Sequence, residues 1–136
     1  MKSTLLILAL MVAIGANAQN TVTLKVDVAG IKDNKGQLMV SLFNNSTDYL
    51  KKAYKVEKLD LSSGIKTIEF TDLEPGEYAV AVVHDENMNN TLDFGDMGPI
   101  EKYGFSNNAP SLYGPAEYSQ TKVDLQEDKS ISITVQ

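Results

Sequence analysis

Apolar side chains recur at every second position through most of this chain, and that period of two commits it to strands rather than helices. TVTLKVDV (residues 21–28) sets Val22, Leu24, Val26 and Val28 on one face. QLMVSLF (37–43) sets Leu38, Val40 and Leu42 on one face, with Met39 and Phe43 on the other. Residues 54–61 and IKTIEF (65–70) continue the pattern, and EYAVAVVH (77–84) is its strongest instance. There Tyr78, Val80, Val82 and His84 share one face while Ala79, Ala81 and Val83 share the other. A strand apolar on both sides belongs in the middle of a sheet. TKVDL (121–125) and SISITV (130–135) complete a set of seven. Between strands lie the turn clusters GIKDNKG (30–36), Ser62-Ser63-Gly64 and Pro75-Gly76. Ser46 or Thr47 is placed to cap a single helical turn over 48–53. The expected fold is all-β, an antiparallel seven-stranded Greek-key sandwich with one long ordered loop. Tyr78, just past the Pro-Gly corner, suits a tyrosine corner, in which the phenol bonds to upstream backbone.

The first 18 residues break the pattern. Lys2, an apolar run over 5–14 and the small-x-small sequence Ala16-Asn17-Ala18 read as a secretory signal peptide cleaved after Ala18. At about ten residues the run is too short to cross about 30 Å of hydrocarbon, so no transmembrane segment is expected. The domain proper is then 19–136, exported to the periplasm or the extracellular space. Removing Lys2 leaves 11 lysines against 18 acids and no arginine, a net charge of −7. Nucleic acid and anionic membrane surfaces are poor partners for such a chain, and cations are better ones. The absence of cysteine excludes disulfides and thiolate chemistry.

Residues 85–115 show neither strand nor helix periodicity, and a stretch of that length is usually functional when it is ordered. Its apolar residues Leu92, Phe94, Met97, Ile100, Tyr103, Phe105, Leu112 and Tyr113 supply material for packing. HDENMNNTLDFGD (84–96) gathers four acids, three asparagines and no lysine. Its spacing follows the calcium loop written D-x-[DN]-x-[DN]-G-x5-E. Asp85, Asn87 and Asn89 stand at positions one, three and five, Thr91 at seven, Asp93 at nine and Asp96 at twelve. Calcium takes six to eight oxygens, and alternate short side chains in a coiled loop supply them. The expected site has side-chain oxygens from Asp85, Asn87, Asn89, Asp93 and Asp96 and a carbonyl from Thr91. The alternative is a solvated loop of Asx-turns. Position six is Asn90 rather than glycine, and a strand rather than a helix precedes the loop.

Evidence for catalysis is thin. His84, the sole histidine, stands beside Asp85, but neighbours on a strand point to opposite faces. No G-x-S-x-G elbow and no second histidine are present. A hydrolase using His84 with a loop acid such as Glu86, Glu101 or Glu117 ranks third among the readings. Tyr103, Phe105, Tyr113 and Tyr118 fall close together and suit glycan or peptide recognition, with His84 nearby as a binding group. The leading expectation is a non-enzymatic binding or structural module of the cell envelope with a calcium loop.

Several of these residues together resemble the signature of the secreted bacterial domain of unknown function 2141 family. They are Pro75-Gly76, Tyr78-Ala79, His84-Asp85-Glu86-Asn87-Met88-Asn89, Asp93 and Gly104-Phe105-Ser106-Asn107. The family commonly has glycine where Met88 and Asn90 stand here. It also commonly has proline just before Lys-Glu, where this chain reads Gly98-Pro99-Ile100-Glu101-Lys102. The Leu73–Tyr78 corner is similar to that of transthyretin-like and carboxypeptidase-regulatory modules. The resemblance implies a secreted immunoglobulin- or transthyretin-like sandwich and brings no activity with it.

Overall fold

The computed structural model describes residues 18–136. The expected apolar leader and most of its cleavage signal lie outside the described residues. Among the described residues no helix is long and apolar enough to cross a membrane.

The protein is mostly β. Its strands are β1 (Val22–Ala29), β2 (Gln37–Phe43), β3 (Lys55–Asp60), β4 (Thr67–Leu73), β5 (Gly76–Asp85), β6 (Phe94–Gly95), β7 (Gly98–Pro99), β8 (Tyr103–Phe105), β9 (Val123–Leu125) and β10 (Lys129–Thr134). One short helix, α1 (Tyr118–Thr121), precedes β9. A smaller sheet runs β10-β1-β4 and a larger one β3-β2-β5-β8, with β9 also paired to β5. β6 and β7 form a separate hairpin.

The alternating faces meet as their period demands. Leu24, Val26, Ile68, Phe70 and Ile133 from the smaller sheet bury against Leu38, Val40, Leu42, Val80 and Val82 from the larger. Each such side chain, fully buried, contributes about 1.5–3 kcal/mol. β5 is central, as its doubly apolar sequence demands: β2 lies on one edge and β8 and β9 on the other.

Three expectations are corrected. The sheets are not wholly antiparallel, because β1 pairs β10 in parallel. Period two reports which face a side chain takes but carries no sign of strand direction. The segment 85–115 is not structureless, since it contains β6, β7 and β8. Two- and three-residue strands are too short to show alternation. The turn after β2 is capped by Asn45, whose Oδ1 accepts the Asp48 N–H at 2.8 Å, rather than by Ser46 or Thr47. The tyrosine corner is formed: the Tyr78 hydroxyl donates to the Glu74 carbonyl at 2.7 Å.

Closure of the larger sheet depends on Gly104-Phe105-Ser106-Asn107-Asn108. β8 pairs β5 at Ala81–Val83 and β9 pairs it at Gly76–Tyr78, which leaves a gap at Val80. The buried Ser106 hydroxyl fills that gap, accepting the Val80 N–H at 3.0 Å and donating to the Thr121 carbonyl. Asn107 donates to the Gln120 and Lys122 carbonyls, each at 3.0 Å. Asn108 Oδ1 accepts the Thr134 N–H at 2.8 Å, opposite the side on which β1 pairs β10. At Gly104 a methyl group would stand 2.7 Å from the Thr134 carbonyl oxygen, so only glycine lets β8 lie this close to β10.

Candidate functional site

The outer face of the larger sheet is where the structure departs most from a closed sandwich. Ala81, Val83, Tyr103 and Phe105 alternate outward from β5 and β8 and floor a cleft of about 590 Å³. Leu92, Phe94, Met97 and Pro99 from the β6–β7 hairpin and its approach line it, as do Leu112, Tyr113 and Pro115 from the following loop. No charged side chain lines it. Tyr103 and Phe105 contact edge to face, with centroids 5.8 Å apart and planes at 78°.

These loop residues do not pack down as their composition suggested. Phe94 is 68% exposed, Leu112 85%, and Met97 and Tyr113 fully. The hairpin projects away from the sheet, so its apolar side chains flank an opening instead of filling a core. An exposed apolar group of this kind, rimmed by polar residues, marks a binding surface more often than chance exposure does. A volume of this size falls in the range of small-molecule sites, roughly 300–1,000 Å³. Of the five binding residues expected from sequence, Tyr103, Phe105 and Tyr113 line the cleft, and His84 and Tyr118 do not. Tyr118 stacks edge to face on Tyr49 instead, at 5.5 Å.

His84 lies on the opposite face of β5 and is 2% exposed. Its Nε2 is 2.8 Å from the Lys35 carbonyl, which can only accept, so this nitrogen carries the proton. Nδ1 is left without a partner among the described residues and stands 3.9 Å from Glu86. The alternation that makes β5 a central strand is what withdraws His84 from the cleft.

The acidic loop forms the base of the hairpin wall, and the six expected calcium ligands fall into separate groups. Asp85 is fully buried. Its carboxylate accepts the Gln37 amide at 2.7 Å and the Asn90 and Asn89 N–H groups at 2.8 and 3.2 Å. Burial pushes the Asp85 pKa up, but the Gln37 amide and the loop N–H groups outweigh it and hold the carboxyl below its ordinary value. Asn87 and Asn89 converge on the Asp93 carboxylate at 2.6 and 2.8 Å. Thr91 joins through Asn89 Oδ1, which accepts its N–H at 3.1 Å and its hydroxyl at 3.0 Å. Asp96 sits in the β6–β7 turn outside both groups. Among the described residues no three acids, histidines or cysteines cluster closely enough to hold a metal ion.

Two residues that sequence reading gave no part in the loop help to hold it. Gln37, from the start of β2, bridges Asp85 and Asn90 Oδ1, the latter at 2.9 Å. Glu101, considered only as a catalytic acid, accepts the Glu86 and Asp93 N–H groups at 3.0 and 3.1 Å. Gln37 lies far away in sequence and left no local signal. Glu101 left only its place in the chain, an acid directly after Pro99-Ile100.

A family model described as "Uncharacterized protein conserved in bacteria (DUF2141)" matches residues 26–134. The chain belongs to this family. No curated protein and no solved structure matches it. The DUF2141 description names no activity, and the structure gives roles to two of the runs noted in the sequence. The Gly-Phe-Ser-Asn run closes the sheet, and His-Asp ends the central strand. Met88 and Asn90 have φ of +59° and +66°. These are left-handed conformations that glycine adopts freely and other residues do not.

Proposed function

We propose that this protein is an exported, non-enzymatic binding module, periplasmic or extracellular, that takes an apolar ligand in the outer-face cleft. The observation that carries this reading is an uncharged cleft of about 590 Å³ flanked by exposed Phe94, Met97, Leu112 and Tyr113. A glycan is the poorer fit, because sugar hydroxyls call for several polar side chains and the lining offers only Ser111 and the tyrosine hydroxyls. A short apolar peptide segment or a small apolar molecule fits the lining better. The two sheets support a Greek-key sandwich of the immunoglobulin or transthyretin type as the scaffold, one that carries its site on loops. The test is titration calorimetry with 3-phenylpropanol. Leu112→Asp should weaken binding at least tenfold with the melting temperature unchanged, since Leu112 is exposed. Equal binding by the variant would remove the cleft from the account.

Calcium in the acidic loop is the second reading, favoured by the convergence of Asn87, Asn89 and Asp93. Turning the two side-chain amides about would present oxygens where N–H groups now meet the carboxylate. Asp85 fits less well, being already supplied with three donors. At free calcium of about ten times Kd, such a site would stabilise the fold by about 1.4 kcal/mol. Calorimetric melting with calcium and with chelator tests it. A rise of a few degrees supports a clamp on the hairpin wall, and coincident melts with no binding heat remove it.

A further inference from the structure

We infer that the group bound in the cleft is apolar and carries a positive charge, a small amphiphilic amine or quaternary ammonium; this rests on the cleft being the binding site. Three features of the cleft select that charge over a neutral or negative one.

The first is what an anion would lack. No lysine lines the cleft and the chain has no arginine. Two lysines near the loop are held outside the cleft. Lys102 donates to the Gly30 carbonyl at 3.0 Å, and Lys58 to Asn90 Oδ1 at 2.7 Å. A carboxylate or phosphate entering the cleft would give up water and gain no counter-charge.

The second is the aromatic lining. Phe94, Tyr103 and Tyr113 contribute three accessible rings above the nearly buried Phe105. Ring faces attract cations, most strongly where the charge is diffuse and loosely hydrated, as on an alkylated ammonium. Tyr103, held edge to face on Phe105 at 78°, is fixed at the floor of the cleft beneath Phe94 and Tyr113.

The third is the field at the rim. Asp96, exposed in the β6–β7 turn, immediately precedes the lining residue Met97, and Asp93, whose carboxylate is held by Asn87 and Asn89, lies at the base of the same hairpin. Neither forms an ion pair among the described residues. Whatever enters between the hairpin and the 111–115 loop meets the field of an acidic hairpin, in a protein of net charge −6. Such a rim draws cations in and repels anions.

The test compares three ligands of matched apolar body: phenethyltrimethylammonium, 3-phenylpropanol and 3-phenylpropionate. Each is titrated into the full exported chain at low salt with chelator present, and followed by calorimetry. The ammonium should bind at least tenfold tighter than the alcohol, and the propionate more weakly than either. Asp96→Asn, at an exposed turn, should reduce the preference for the ammonium by about threefold or more, and 0.5 M salt should reduce it further. Alcohol and ammonium binding equally would overturn the charge inference while leaving the cleft reading intact, as would tightest binding of the propionate. Silence from all three ligands would overturn both.

Discussion

At the scale of single residues, the loop at 85–96 is an assembly of hydrogen-bonded turns held at unfavourable backbone angles. Met88, at φ +59° and half exposed, gains nothing visible for that strain. Replacing it with glycine should stabilise the protein by about 1 kcal/mol in urea unfolding. Asn90 is different, because its side chain accepts from Gln37 and Lys58, so Asn90→Gly should gain less or lose. Asp85 sets an acid limit on stability. Its folded pKa lies below its ordinary 3.8, so its contribution is full above that value and is lost as pH falls through the folded pKa. In Asp85→Asn the stability measured between pH 5 and pH 2 should fall less steeply than in the wild type. The alternation of Asp and Asn made this loop conspicuous in the sequence, and the structure brings Asn87, Asn89 and Asp93 together. What could not be read locally was the competition for Asp85, because Gln37 lies 48 residues away.

At the scale of elements, β5 organises the rest. Its apolar character on both faces marked it as central, and the same alternation put His84 on one face and Ala81 and Val83 on the other, without showing which face was core. Direction was not legible: nothing in residues 130–135 distinguishes a parallel from an antiparallel partner for β1. Nor were β6, β7 and β8, which are too short for a period to register. β8 is held by special groups more than by its own ladder, and they give it a sharp sensitivity. Ser106→Ala removes the hydroxyl that satisfies the buried Val80 N–H and should cost about 1–3 kcal/mol. Gly104→Ala drives a methyl into the Thr134 carbonyl and should separate β8 from β10. Hydrogen exchange should then show lost protection at Gln136, whose N–H bonds the Tyr103 carbonyl at 3.1 Å. Unchanged exchange there would mean that β8 is anchored from the β5 side alone.

At the scale of the whole molecule, two sheets share one core, and one sheet has a second apolar face that its own chain covers only in part. Tyr49, Ala109 and Ala116 pack over one end of that face, against Phe105. Toward Val83 and Tyr103 it lies open between two loops whose apolar side chains point into solvent. The aromatic cluster was visible in the sequence, but its exposure was not. Composition alone cannot separate rings that pack a loop onto a sheet from rings that wait for a ligand. The most direct test is amide chemical-shift mapping of the isotopically labelled protein titrated with phenethyltrimethylammonium. The account predicts saturable shifts confined to residues 81–83, 92–99, 103–105 and 111–115. Shifts confined to the smaller sheet, or none at saturating ligand, would contradict it.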